Sequence, residues 1–149
     1  MIQRIQSLYI LVATVLLALA STLPLMEFMT TDGSHIFAAS GITHNEDTLL
    51  ATIPLIILLL TATGLNLVSL FSFRKRMLQI RLLVFSIILQ LGSYGLGAYY
   101  LLQIKSGING AISPSFTLTF PIIAAILSFL AIRSIGKDEA LVKSLDRIR

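Results

Sequence analysis

Four long stretches of this chain carry almost nothing that water would solvate, and that feature decides most of what the sequence can fold into. They run at 5–26, 48–73, 78–103 and 114–134 of 149 residues, and no Asp, Glu, Lys or Arg interrupts the middle of any of them. Crossing about 30 Å of hydrocarbon takes roughly 20 predominantly apolar residues at the helical rise of about 1.5 Å each, and every stretch is long enough. Charged residues make up 12% of the chain, against about a quarter in a soluble domain, so a bilayer is the expected solvent. In lipid a spanning segment must satisfy its own backbone hydrogen bonds, which predicts helices. The fold class read from the sequence is therefore an all-α membrane protein, a four-transmembrane-helix bundle forming a single domain over 1–149. Arg81 and Arg133 sit near span ends, where long side chains reach the interface.

The first span also has the outline of a secretory signal, with Arg4 ahead of an apolar run and Ala18-Leu19-Ala20 resembling a cleavage site. The run continues through Leu23, Leu25 and Met26, longer than a signal core, so an uncleaved helix is expected. Orientation follows from the basic residues, which are retained on the cytoplasmic side of short loops. Arg4, Arg74, Lys75, Arg76, Arg81, Arg133, Lys137, Lys143, Arg147 and Arg149 fall on one side and Lys105 alone on the other. Both termini are thus predicted in the cytoplasm, and the loop from Glu27 to Asp47 on the opposite side of the membrane. Within that loop Asp32-Gly33 lies between two short apolar runs and predicts a small β-hairpin. Gly107 and Asn109-Gly110 mark a turn in the second outer loop, and Ser113-Pro114 reads as cap and first residue of the last helix. The basic turn at 73–76 is so short that the second and third helices must be antiparallel neighbours.

Every span carries a stripe of small or polar residues at alternating steps of three and four. On the third span it passes through Gln79, Ser86, Gln90, Ser93, Gly97 and Tyr100, and on the fourth through Thr117, Pro121, Ala124, Ser128 and Ala131. The first offers Ser7, Thr14, Ala18 and Ser21, and the second Ala62, Asn66 and Ser69. Apolar surface gains nothing by leaving lipid for another helix, so association depends on close backbone approach and interhelical hydrogen bonds. Ser86, Gln90, Ser93, Gly97, Asn66, Ser69, Thr117, Ala124 and Ser128 are accordingly predicted as helix-packing residues.

Chemistry finds few footholds. Cysteine is absent, which removes thiolate ligands and thiol nucleophiles. His35 and His44 stand near Asp32, Glu46 and Asp47, but their spacing follows no metal motif, and they read as solvated loop residues. No serine has a visible histidine and acid partner, and the spans contain no carboxylate or histidine for a proton-coupled mechanism. No catalytic residue, metal or cofactor is predicted. The net charge of +4 comes from topology rather than from a basic stripe with interleaved aromatics, so nucleic acid is not an expected partner. The tail at 137–149 places Leu141, Leu145 and Ile148 on one helical face. It is predicted as an amphipathic helix that docks on protein, either the chain's own basic turn at 74–76 or another subunit.

Three segments carry a resemblance: Met-Ile-Gln-Arg-Ile-Gln-Ser-Leu-Tyr at 1–9, Arg-Lys-Arg-Met-Leu-Gln-Ile-Arg-Leu at 74–82, and Lys-Asp-Glu-Ala-Leu-Val-Lys-Ser-Leu-Asp-Arg-Ile-Arg at 137–149. With these the chain resembles a family of four-span membrane proteins from Bacteroidota known only as a domain of unknown function. The resemblance implies a Gram-negative inner membrane and no assigned activity or site residues. The order of one helix, a long outer loop with a hairpin and three further helices is also similar to claudin-like tetraspans in topology. The function expected is that of a non-enzymatic structural or accessory subunit, associating with another membrane protein or with copies of itself. The alternative is a small transporter or channel with a polar path near Asn66 and Gln90.

Overall fold

The computed structural model describes residues 2–30, 33–44, 47–73, 75–105 and 111–146. Four helices form the bundle: α1 (Ile2–Thr22), α2 (Ile53–Phe71), α3 (Arg76–Lys105) and α4 (Phe120–Asp146). Each accounts for most or all of a segment long and apolar enough to cross a membrane, at Ile5–Thr22, Ile53–Phe71, Arg76–Gln103 and Phe116–Leu141, the last beginning just ahead of α4. α1 packs on α2 and α4, and α3 closes the ring by packing on the same two. The short connection at 72–75 makes α2 and α3 antiparallel neighbours, as its length requires, with Lys75 N–H bonding Ser72 O at 3.0 Å.

One end of the bundle is capped by an antiparallel sheet of five strands, larger than the hairpin expected. β1 (Pro24–Thr30), β2 (Gly33–Ala38), β3 (Gly41–His44) and β4 (Asp47–Ala51) follow α1, and β5 (Ala111–Pro114) follows α3. Their order across the sheet is β4-β3-β2-β1-β5. The expected hairpin is the β1–β2 pair, but Thr30 pairs with Gly33, so Gly33 opens β2 and the connection is residues 31–32. That turn lies outside the described residues. The second loop donates β5 to the free edge of β1, matching Glu27 to Ser113 and Met26 to Pro114, which covers an edge that would otherwise expose unpaired backbone groups.

Period-two alternation seats the sheet on the bundle. Phe28, His35, Phe37 and Ile42 are buried on the inner face, while Glu27, Met29 and Ile36 are exposed on the outer one. Leu25 and Met26 break the alternation, both being buried, because the register shifts between Pro24 and Met26. Such an irregularity turns two successive side chains to one face. These residues join Ala13, Leu17, Leu55, Leu59, Ala62 and Ala124 in one core beneath the sheet, and a smaller cluster of Ile10, Leu83, Ala131 and Ile135 closes the opposite end.

Two helix starts differ from the sequence reading for one reason. The apolar run that begins at 48 continues from β4 into α2, so hydropathy alone hides the boundary, and the helix starts at Ile53 with Pro54 in its first turn. Ser113-Pro114 is likewise not a helix start, since Pro114 ends β5. A 3-10 turn (Phe116–Thr119) follows, and α4 begins at Phe120 with Pro121 second. Proline suits either first turn because its missing N–H would have no intrahelical partner there. At the other end of α4, the tail is no separate element: the helix passes through Gly136 and continues to Asp146.

Candidate functional site

Polar side chains share the interior with the two apolar clusters, while the exterior is apolar. Gln79, Ser86, Gln90 and Ser93 of α3, Asn66 and Ser69 of α2, and Thr117 and Ser128 beside or within α4 are all buried, with Asn66, Ser69, Ser86, Gln90 and Ser128 fully so. Ala124 is also fully buried. The outside carries Leu8, Ile57, Phe71, Phe85, Leu91 and Phe129, each more than half exposed. On α1 the inward face is Gln6, Ile10, Ala13, Leu17 and Ala20 together with Thr14 and Ser21, whereas Ala18 is exposed. The stripe drawn through Ser7 and Ala18 therefore drifts off the face that packs.

Two serines knit α2 to α3. Ser86 Oγ donates to Ala62 O at 3.1 Å and Ser69 Oγ to Gln79 O at 3.5 Å. Gln90 acts within its own helix, its Nε2 donating to Ser86 Oγ at 2.9 Å. Thr14 and Ser93 likewise bond carbonyls of their own helices. Asn66, expected to bond across an interface, does not: among the described residues neither its Oδ1 nor its Nδ2 has a partner, and Gln90 Oε1 and Ser128 Oγ share that condition. Fully buried polar atoms without partners are uncommon and each costs about 1–3 kcal/mol. The Ser86–Ala62 bond sets the relative height of α2 and α3. From it Asn66 and Gln90 lie four residues to opposite sides, about 12 Å apart along the axis. The Tyr94 hydroxyl, which donates to Leu118 O, sets α4 against α3 and places Ser128 within about one turn of Asn66. Ser86 thus stands near mid-bundle, with Gln90 a turn closer to the sheet and Asn66, with Ser128 near its height, a turn farther from it.

Gly97 departs from its predicted role. It was expected to admit a neighbouring backbone, yet a Cβ placed on it would meet nothing within 4 Å. The space belongs to a cavity of about 250 Å³ between the sheet and the upper halves of α2, α3 and α4. Its lining is Leu25, Met26, Phe37, Leu55, Leu59, Ser93, Tyr94, Gly97, Ala98, Leu101, Leu118 and Pro121. A stripe of small residues looks the same in sequence whether a helix or a hole faces it, so no signal there marks this feature.

At the end away from the sheet, α4 is tied to its neighbours. Gln6, buried on α1, donates through Nε2 to Asp138 Oδ2 and, at 3.4 Å, to Ser134 Oγ. Arg76 at the start of α3 pairs with Glu139 at 3.8 Å, the approach of the tail to the basic turn that the sequence reading allowed. Leu141 is 60% exposed. The side chain of Leu145 and all of Ile148 lie outside the described residues.

His35 is not a solvated loop residue: it is buried in β2, directly across from His44 in β3, which in turn is across from Asp47 in β4. Asp32 and Glu46 lie outside the described residues. Among the described residues no group of three or more His, Asp or Glu is placed to hold a metal ion. No curated protein matches the chain. The resemblance noted at the two ends and the basic turn does extend through the bundle and sheet between them: from residue 2 to residue 148 the chain matches, and so belongs to, the family described as domain of unknown function (DUF4293).

Proposed function

We propose that this is a non-enzymatic integral protein of a bacterial inner membrane, with both termini in the cytoplasm, and that it serves as a structural or accessory subunit of a larger membrane assembly. The membrane reading is supported by an exterior of large apolar side chains around an interior that also holds serine and amide side chains. The orientation is supported by the ten basic residues on the tail side of the spans against Lys105 on the sheet side. The observation that carries the subunit role is the end of α4. It runs as one helix to Asp146, beyond the end of the apolar span at Leu141, is held near that end to α1 through Gln6 and Asp138 and to α3 through Arg76 and Glu139, and exposes Leu141. A helix end anchored this way offers a preformed surface, which lowers the ordering cost of binding a partner.

Gentle purification of the full chain from its native membrane tests the proposal. A stoichiometric companion, lost when Leu141 is changed to Ser or residues 137–149 are removed, is expected. Recovery of the chain alone, with and without those changes, would overturn it. Orientation is read separately from single cysteines at Ser34 and Ser144, which are unambiguous because the chain has no other cysteine. Labelling of Ser144 but not Ser34 by an impermeant reagent in intact spheroplasts would reverse the topology.

A second reading, a small transporter or channel, is favoured by one specific observation: the unbonded Asn66, Gln90 and Ser128 atoms stacked in mid-bundle. Solute flux through proteoliposomes of the lone chain, abolished by Asn66→Leu, would move the assignment to that class.

A further inference from the structure

The cavity under β1 is unlike the rest of the interior, and the chemistry of its walls specifies what it can hold. Among the described residues two hydroxyl groups reach it, and both are occupied: Ser93 donates to Gln90 O at 2.6 Å and Tyr94 to Leu118 O. A polar ligand would surrender its hydrogen bonds to water and find no free hydroxyl donor in exchange. Water fails for the same reason, since cavities with apolar walls stay dry. Hydrocarbon loses nothing on entering. The volume of about 250 Å³ exceeds the ~150 Å³ that takes up benzene in an engineered apolar cavity, so a run of methylene groups fits.

Position names the source of that hydrocarbon. Leu59, Tyr94, Gly97, Ala98 and Leu101 belong to helices long and apolar enough to span a membrane. Ala98 is exposed and Tyr94, Gly97 and Leu101 are half-buried, so this wall is where the cavity meets the surface. Gly97 keeps the passage wide because it has no side chain and no neighbour within 4 Å of where one would start. We propose that the cavity binds one acyl chain of a membrane phospholipid, entering beside Gly97 and Ala98 where α3 faces α4. The inference rests on reading α1–α4 as membrane spans. It gives the bundle a resident lipid under its sheet, held by dispersion and shape, with Leu55 and Leu59 at the deep end.

Leu59 supplies the test, because at 1% exposure it is reached only from within the cavity. The full chain is reconstituted in nanodiscs of phosphatidylethanolamine and phosphatidylglycerol containing a phosphatidylcholine with a diazirine near the end of one acyl chain. After irradiation, adducts are mapped by peptide mass spectrometry. Adducts are expected at Leu59 as well as at Ile126 and Phe129, which are 54% and 57% exposed on the outside of α4. Gly97→Leu and Ala98→Leu, which fill the cavity from its open wall, should each lower the Leu59 adduct at least fivefold while Ile126 and Phe129 stay labelled, the latter showing that the variants remain folded in the bilayer. Labelling of Ile126 and Phe129 without Leu59, or Leu59 labelling unchanged in both variants, would overturn the acyl site and leave the membrane reading standing. No adduct at any of the three would overturn the membrane reading and the site together.

Discussion

Replacing Asn66 with leucine should make the isolated protein more stable, against the usual consequence of altering a fully buried residue. The amide is completely enclosed, and neither of its polar atoms has a partner among the described residues. Leucine branches at the same carbon with the same number of side-chain heavy atoms, so the change removes the unmet polarity without opening a cavity, and repacking around its larger methyl groups takes back part of the gain. Relieving one such group recovers about 1–3 kcal/mol. In a bilayer the unfolded helices find partial partners of their own, which brings the expectation toward the lower half of that range. A gain of about 1.4 kcal/mol is a tenfold shift in the unfolding equilibrium, well within the reach of SDS-driven unfolding in mixed micelles followed by far-ultraviolet circular dichroism. Ser86→Ala is the companion measurement. It deletes the bond to Ala62 O and frees Gln90 Nε2, so it should destabilise by about 1 kcal/mol. Opposite signs from two fully buried polar residues about one turn apart in height are the signature of the argument. Loss of about 1 kcal/mol or more in Asn66→Leu would refute it, for the amide would then be bonded in the native bundle, as a polar path requires.

Gly136 lies inside α4 with open space where a side chain would start, so Gly136→Ala should raise stability by about 0.5–1 kcal/mol through helix propensity alone, read from the same unfolding curves. Asp138→Ala removes the acceptor for Gln6 and should cost about 1–2 kcal/mol; amide exchange should quicken over residues 137–146 and hold steady in the interior of α2. Thr52→Val strips the hydroxyl that bonds Ala39 O at 2.8 Å from a fully buried position, a loss of about 1–3 kcal/mol that should appear as faster exchange in β3 and β4 before any change in α3.

The bundle was legible because lipid leaves a chain few alternatives. A run such as Ile53–Phe71 cannot be anything but a helix if it crosses hydrocarbon, and the tight connection after it dictates which helix stands beside it. The sheet was only half legible. Asp-Gly announced one hairpin, but β3 and β4 carry no comparable turn signal, and β5 is four residues in a loop whose pairing with β1 involves contacts some 85 residues away. The boundary at α2 was lost for a related reason: apolar residues serve a strand under the sheet as well as a helix in the bundle, so hydropathy runs through the junction and only Pro54 marks it. Tail and span were separated at Gly136 because glycine usually punctuates. Here both sides of it are helix, and the polar anchors Gln6 and Asp138 lie 132 residues apart.

What sequence periodicity could not resolve is what each small or polar residue faces, and that distinction organises the functional argument. Ser69, Ser86 and Gly97 look alike in a helical projection, yet two of them bond a neighbouring helix and the third borders open space. Ser86 and Ser69 already tie α2 to α3, so bundle formation gives no reason for an unbonded amide at Asn66 or an unbonded carbonyl at Gln90. Had selection acted on packing alone, leucine at 66 would serve better, and a larger residue at 97 would close the cavity. Both positions instead keep the form that costs stability, one polar and enclosed, the other bare and bordering open space. Natural chains tolerate such costs where something other than the fold benefits. The two exceptions sit at different heights and differ in chemistry: an apolar chamber beneath the sheet and a polar layer in mid-bundle. A ligand for the first is hydrocarbon, while the second is served only by hydrogen-bonding groups. Asn66→Leu and Gly97→Leu should therefore separate cleanly, with the first leaving acyl-chain labelling at Leu59 intact and the second leaving any flux or partner effect of Asn66 untouched. One variant abolishing both would mean that chamber and layer are parts of a single site.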